Sequence, residues 1–220
     1  PEESRHLFDF TAGRGLGRIY RVATTDRPPA RVELGLAGAS LPDLVTRLGH
    51  RNGWVRDTAQ RLLIERGEAG VPLLQSALMA PSALARLHAF WTLDARGAAR
   101  EGDILQALGD SAAPVREAAA RVAERRLSSA HDADGALLEK VLALVDDADA
   151  RVRLHVALAL GASRDPRVVT ALAALARRDG TDRWMRAAIL SGLRDRAWSF
   201  LDAFEAQKPT VATTSAVMQD

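Results

Sequence analysis

The sequence predicts an all-α fold, a superhelical solenoid of about five helical hairpins preceded by a short β and linker segment. Three observations predict it. From residue 40 onward, apolar residues recur three and four positions apart, which is the period of an amphipathic helix. Turn signals interrupt this pattern at intervals of about 12 to 16 residues, as expected for short helices. A motif also recurs in every second helix, as in helical repeat arrays.

Residues 1–39 have a different character. His6-Leu7-Phe8-Asp9-Phe10 and the segment from Arg18 to Val22 alternate as half-buried strands do, so we predict a β-hairpin. Pro28-Pro29 and the glycines at 35 and 38 predict a linker after it. Two strands alone are marginally stable in water, so the hairpin would complete a larger upstream sheet. A disordered terminus is the alternative.

Residues 40–206 are predicted to form the helical repeat domain, with ten helices in five pairs. Ser40 is placed to cap the first helix, and Pro81 and Pro114 open the fourth and sixth. The predicted spans are about 41–48, 52–65, 71–79, 82–97, 101–108, 114–127, 135–145, 150–160, 166–177 and 181–193. Residues 207–220 are predicted as a loop or the start of a further repeat.

An arginine recurs at one place in the second helix of every pair. An apolar or small residue precedes it, and another lies three positions after it. The arginines are Arg56, Arg86, Arg116, Arg153 and Arg186, with spacings of 30, 30, 37 and 33 residues. The arginine keeps the same place relative to the turns in every pair. We therefore predict that the hairpins stack and that each buries two faces.

This motif resembles that of HEAT repeats, whose second helix carries the pattern D-x-x-V-R-x-x-A. The segment Asp149-Ala150-Arg151-Val152-Arg153 is the nearest match. In HEAT repeats the arginine commonly pairs with an acidic turn residue of a neighbouring repeat. The resemblance implies that role for Asp110, Asp147 and Asp182.

Three segments, in the same order along the chain, resemble one bacterial family. They are Gly17 to Val22, Asn52 to Leu63 and Arg86 to Asp94. They are similar to segments of the membrane-bound dehydrogenases of Planctomycetes/Verrucomicrobia type. These are large secreted proteins in which HEAT-type helices follow a β-propeller and, in many members, precede a cytochrome c domain.

This resemblance covers about residues 5–195. It implies that Gly17 to Val22 is the last propeller strand and that the protein is periplasmic or extracytoplasmic. It also implies a redox-active, heme-binding parent protein. Heme c or a propeller-bound cofactor would then belong to other parts of that parent, so no cofactor is expected in this chain.

Composition narrows the possible functions. The chain has no cysteine, which excludes disulfides, thiolate metal sites, a cysteine nucleophile and covalently attached heme. Of 30 basic residues 28 are arginine, yet the net charge is only +2, and a nucleic-acid-binding protein is usually more basic. No apolar run is long enough for a membrane helix, so we predict no membrane span here.

Catalytic signatures are missing from the sequence. No two histidines stand four apart with a carboxylate partner, and neither a phosphate-binding glycine loop nor a Gly-x-Ser-x-Gly motif occurs. We therefore predict no catalytic, metal or cofactor residue, and no enzyme activity in this chain. His88 and His155 follow the repeat arginine by two positions, and we interpret them as packed or hydrogen-bonded structural residues.

The arginine row allows a second hypothesis, a HEAT-like nucleic-acid-binding protein or DNA glycosylase that grips phosphates along one edge. We favour the structural interpretation because Asp57 and Glu117 directly follow two of the arginines and would repel a phosphate backbone. The second hypothesis predicts DNA affinity that is lost on charge reversal at Arg86 and Arg116.

Four tryptophans lie on or near second helices: Trp54, Trp91, Trp184 and Trp198. As large apolar groups they are predicted to fill the joints between hairpins, with Trp91 largely buried. An exposed binding role for Trp54 and Trp91 is the alternative. The function predicted is a non-catalytic scaffold that binds adjacent domains of its own polypeptide or another protein, with the second-helix face as the contact surface.

Overall fold

A computed structural model describes Asp26, residues 35–129 and residues 135–206 of the chain. The chain divides into two units, Pro1–Leu34 and Gly35–Asp220. The predicted β-hairpin, the proline pair and the proposed propeller strand lie outside the described residues, as does the predicted loop at 207–220. They stay predictions.

The repeat unit begins earlier than predicted. Leu36–Gly38 form a short 3₁₀ helix, and Leu36 is buried. The guanidinium of Arg66 donates hydrogen bonds to the carbonyl oxygens of Ala37 and Ala39. These contacts tie residues 36–39 to the second helix, so the expectation of linker at this point is wrong.

Eleven α-helices lie in the described residues. Their bounds are α1 Leu41–Arg47, α2 Gly53–Glu65, α3 Val71–Ala77, α4 Ala83–Ala95, α5 Glu101–Leu108, α6 Ala113–Ser129, α7 Gly135–Leu142, α8 Ala150–Ala162, α9 Arg167–Asp179, α10 Arg183–Leu193 and α11 Ala197–Ala206. The first ten match the ten predicted helices, with ends that differ by a few residues.

The helices stack as a repeat array. Consecutive helices pair as hairpins, from α1 with α2 to α9 with α10. The second helices form one continuous stack, because α2 packs on α4, α4 on α6, α6 on α8 and α8 on α10. Among the first helices, α1 packs on α3, α5 on α7 and α9 on α11. The predicted all-α solenoid is confirmed in the described residues.

Helix α11 was not predicted. It packs on α9, so it occupies the place of a first helix in a sixth pair. Phe200 and Phe204 stack with ring centroids 5.9 Å apart, and the guanidinium of Arg177 on α9 lies 4.3 Å from the Phe204 ring. The apolar spacing of these two phenylalanines was the signal available in the sequence.

Side-chain caps set the start of most second helices. The residue four positions before the repeat arginine accepts a hydrogen bond from a backbone N–H of the first turn. Asn52, Ser82, Asp149 and Asp182 do this for α2, α4, α8 and α10. The cap and the arginine thus belong to one local unit, which explains why the motif keeps its register.

Small and aliphatic residues fill the stack. The residue three positions after the arginine is never more than 2% exposed; these residues are Ala59, Ala89, Ala119, Val156 and Ile189. At the α8–α10 contact the backbones nearly touch, because a Cβ placed on Gly161 would lie 2.8 Å from the Cα of Gly192. Glycine is required there by the closeness of the two helices.

The tryptophan prediction is wrong for three of the four residues. Trp54, Trp184 and Trp198 are 58%, 60% and 80% exposed, and Trp91 is half-buried. Trp54 and Trp184 lie two positions before a repeat arginine, on the side of the first turn that faces solvent. The joints are filled instead by aliphatic residues and by Phe90, which is fully buried.

Candidate functional site

Each repeat arginine is first fixed to the turn before its own helix. The Nη1 atom donates to the carbonyl oxygens five and six residues earlier, at 2.7–3.1 Å, in all five repeats. These carbonyls have no helical partner, so the guanidinium satisfies them. This anchoring aims the Nε and Nη2 edge of the guanidinium at the next repeat.

Three of the arginines then bind a carboxylate of the next repeat at two points. Nε and Nη2 of Arg86 donate to Asp110 at 2.6 and 2.7 Å. Arg116 binds Asp147 at 2.6 and 2.8 Å in the same way. Such bidentate, charge-assisted pairs are among the stronger polar contacts in proteins. The predicted pairing roles of Asp110 and Asp147 are confirmed.

The role predicted for Asp182 is wrong. Arg153 binds Asp179, the last residue of α9, with both distances at 2.7 Å. Asp182 instead accepts from the backbone N–H groups of Trp184 and Met185 and caps α10. An aspartate four positions before an arginine is a cap, and sequence spacing alone did not separate the two candidates.

We call each repeat arginine together with its partner in the next repeat a rung. The first rung, that of Arg56, differs in chemistry from the three rungs that pair an arginine with an aspartate. The turn after α3, residues 78–82, contains no acidic residue. Nε of Arg56 therefore donates to Nε2 of His88 at 3.0 Å. Nδ1 of His88 then carries the proton and donates to Oε1 of Gln60, also at 3.0 Å. His88 is thus a hydrogen-bonded structural residue, as predicted.

Charge and burial act on the ionisation of these groups. The hydrogen bonds from Arg116 and Arg153 hold the pKa of Asp147 and of Asp179 below the usual aspartate value. Burial, together with the nearby charge of Arg56, lowers the pKa of His88 below the usual histidine value. A neutral His88 is also what its acceptor role toward Arg56 requires.

A second row of arginines lies at the C-terminal ends of the second helices. It lies ten positions after the first row: Arg66, Arg96, Arg126 and Arg196, with Ser163 in the fourth repeat. Arg96 donates to the carbonyls of Leu63 and Ile64 at 3.3 and 2.8 Å, at the end of α2. Arg196 donates in the same way to Ser163 and Gly161 at the end of α8.

This second row satisfies carbonyl groups that a helix C-terminus leaves unpaired, and it places positive charge at the negative end of the helix dipole. The sequence interpretation missed it. The signal was present, because the row repeats the spacings of the first row. Arginine is so common in this chain that the second register did not stand out.

We define the open face as the solvent-facing stripes of α4, α6 and α8. Its members are Leu84, Leu87 and Trp91 on α4; Pro114, Glu117, Arg121 and Glu124 on α6; and Arg151, Leu154 and Leu158 on α8. Two apolar stripes therefore flank a charged one, and all of these side chains are exposed or half-exposed.

Side-chain contacts join the three stripes. The Arg121 guanidinium lies 5.4 Å from the centroid of the Trp91 ring, within cation–π range. Nε2 of His155 on α8 lies 3.5 Å from a carboxylate oxygen of Glu117 on α6. His155 Nδ1 is buried and has no hydrogen-bond partner among the described residues. Burial lowers the pKa of His155.

The described residues contain no group of three or more His, Asp or Glu side chains placed to hold a metal ion. His6 and His131 lie outside them. Within the same part of the chain, no helix combines the length and apolar character needed to cross a membrane.

Comparison with known proteins finds a family model that matches part of the chain. Residues 103–194, from α5 to α10, match the family model of HEAT repeats. A comparison with curated proteins returned no match. The HEAT match supports the repeat prediction and a helical scaffold that mediates protein interactions. The resemblance to membrane-bound dehydrogenases gains nothing from it and stays a prediction.

Proposed function

We propose that the chain is a non-catalytic HEAT-type scaffold whose open face binds a protein partner. One observation carries the proposal. The side chains that stabilise the stack, above all the two arginine rows, are turned toward neighbouring repeats, whereas the open face presents partly exposed apolar side chains, Leu87, Trp91 and Leu154 among them, to solvent. Partly accessible apolar groups beside charged ones are typical of protein-binding surfaces.

The composition of the open face favours a helical or extended protein segment. Trp91 offers a half-exposed aromatic surface held in place by Arg121. Aromatic residues supported in this way are frequent binding hot spots. Leu87 and Leu154 on either side offer apolar contacts, and Glu117 between them would fix the polarity of a charged partner.

Peptide-display selection against the folded chain tests this proposal. We expect the selected peptides to lose at least tenfold in affinity on Leu87→Glu, which places a charge in the apolar stripe of α4. The matched control is Ala136→Glu on α7, an exposed first-helix position away from the open face. If Leu87→Glu left the affinity of the peptides unchanged and Ala136→Glu lowered it, the binding surface would lie on the first helices and the proposal would be contradicted.

We also propose that this scaffold serves a larger exported, redox-active protein of dehydrogenase or cytochrome c type, and spaces its domains. Only the three sequence segments that resemble such proteins support this. The proposal expects no sugar or alcohol dehydrogenase activity from the purified chain with an added quinone acceptor. Turnover above background would contradict it.

The nucleic-acid alternative is disfavoured by the geometry of the arginines. Nε and Nη2 of Arg86, Arg116 and Arg153 are already bound to carboxylates, and these three side chains are at most 16% exposed. Charge reversal there would break the stack, so a DNA test needs the intact chain. We expect no gel shift with duplex DNA near physiological salt, and a shift that weakens steeply with salt would favour the alternative.

A further inference from the structure

Helix α10 differs from the three second helices before it at one position. This position lies four residues after the repeat arginine. In α2 it holds Gln60, which is half-buried, and in α4, α6 and α8 it holds Phe90, Ala120 and Ala157, each 0% exposed. In α10 it holds Leu190, which is 65% exposed. The α10 surface therefore has the chemistry of a joint without a covering helix among the described residues.

The repeat arginine of α10, Arg186, provides a second and independent observation. Arg186 is anchored like the others, with Nη1 donating to the carbonyls of Gly180 and Thr181 at 2.8 Å. Its Nε and Nη2 edge therefore points where Arg86, Arg116 and Arg153 find their carboxylates. Within residues 35–129 and 135–206, no carboxylate is hydrogen-bonded to Arg186.

We propose that this surface of α10, defined by Arg186 and Leu190, binds an acidic amphipathic helix. An apolar face would cover Leu190, whose counterpart Ala157 on α8 is fully buried, and an aspartate or glutamate would take the two-point bond that Arg186 offers. Arg183 and Arg194 at the two ends of α10 each lie beside an exposed aspartate, Asp182 and Asp195, so the attraction for an acidic group is centred on Arg186.

The sequence of residues 207–220 has no carboxylate at the spacing found in the complete rungs. In the three complete rungs the carboxylate follows its arginine by 24, 31 and 26 residues. The corresponding stretch after Arg186, residues 210–217, contains no aspartate or glutamate. A second copy stacked end to end fits poorly as well, because the turn after α1, residues 48–52, has no acidic residue.

Calorimetric titration of the full chain with two model peptides tests the proposal. Both peptides form amphipathic helices with the same leucine face, and they differ only in carrying glutamate or lysine on the polar face. We expect the glutamate peptide to bind and the lysine peptide to bind at least tenfold more weakly. Arg186→Gln and Leu190→Ser should each weaken the glutamate peptide about tenfold. Arg51→Gln, an exposed arginine at the other end of the array, should leave binding unchanged.

Four outcomes would overturn the proposal. They are no binding of the glutamate peptide, equal binding of both peptides, wild-type affinity in Arg186→Gln, and binding only after removal of residues 207–220. A concentration-dependent dimer that Arg186→Gln abolishes would instead identify a second copy as the occupant. The open face plays no part in this test, since Leu87→Glu should leave glutamate-peptide affinity unchanged.

Discussion

Arg116 and Asp147 form a two-point ion pair between consecutive second-helix units, with Nε to Oδ2 at 2.6 Å and Nη2 to Oδ1 at 2.8 Å. The same aspartate serves the next rung, because its backbone carbonyl accepts from Nη1 of Arg153 at 2.7 Å. Asp110 does the same one repeat earlier, with its carboxylate on Arg86 and its carbonyl on Arg116. The rungs are therefore linked in series.

The stability of the array should fall with decreasing pH in two stages. The pKa of His88 is lowered in the folded chain by burial and by Arg56, so the unfolded chain gains a proton first as pH drops below about 6.5. Stability present above that pH is then partly lost. Urea unfolding between about pH 8 and pH 5 measures this loss, and His88→Gln should reduce it. A stability that is flat over this range would contradict the assignment.

The second stage comes from the aspartates. The pKa of Asp147 lies below its unfolded value because of the bond from Arg116, so this contribution is complete above about pH 4 and is lost as pH falls through the folded value.

Gly161→Ala should destabilise the contact between α8 and α10. The added Cβ would lie 2.8 Å from the Cα of Gly192, so the two helices must move apart, at a cost of about 2–3 kcal/mol in unfolding free energy. Gly102→Ala is the control, since a Cβ there meets nothing within 4 Å on helix α5. It should raise stability by about 0.5–1 kcal/mol. Equal effects of the two substitutions would refute the close contact.

Trp91→Ala should cost less than the neighbouring Phe90→Ala. Phe90 is fully buried, so its removal should cost about 3–5 kcal/mol. Trp91 is half-buried and contacts Arg121, so we expect about 1–2 kcal/mol together with weaker binding of partners at the open face. Thermal or urea unfolding of both variants measures the difference in stability. A larger loss of stability for Trp91→Ala than for Phe90→Ala would show that Trp91 is a core residue.

Arg96→Met tests the second arginine row. The substitution keeps the apolar stem and removes the bonds to the Leu63 and Ile64 carbonyls, which should cost about 1–2 kcal/mol. Hydrogen exchange should increase at the end of α2 before it increases elsewhere. Arg100→Met, at an exposed position with no side-chain cap, should change stability by less than about 0.5 kcal/mol. Protected amides at the end of α2 in Arg96→Met would exclude this capping role.

The sequence was sufficient for the helices and the arginine register, because both depend on local chemistry. A cap at Asp149, an arginine at Arg153 and a buried Val156 lie within one helical turn or two, so their spacing is visible in the chain. The partner of Arg153 was not visible in this way. Asp179 and Asp182 are three residues apart, and only the position where α9 ends decides which carboxylate meets the guanidinium.

The tryptophans show a second limit. Size and apolar character predict burial, but Trp54 and Trp184 lie on the exposed side of their helices. Which face of a second helix is covered depends on the neighbouring repeat. For the same reason the sequence did not predict that Leu190 is exposed, because its periodic position in the helix is typical of a core residue.

A double-mutant cycle on Arg116 and Asp147 tests the central claim, that the arginine row binds repeat to repeat. Arg116→Met, Asp147→Ala and the double variant are compared by urea unfolding with wild type. We expect each single substitution to cost about 3 kcal/mol and the coupling energy to be at least about 2 kcal/mol, because each leaves a buried charge unpaired. The exposed pair Arg61 and Glu65 should couple by less than about 0.5 kcal/mol. A coupling near zero between Arg116 and Asp147, with additive losses, would contradict the claim.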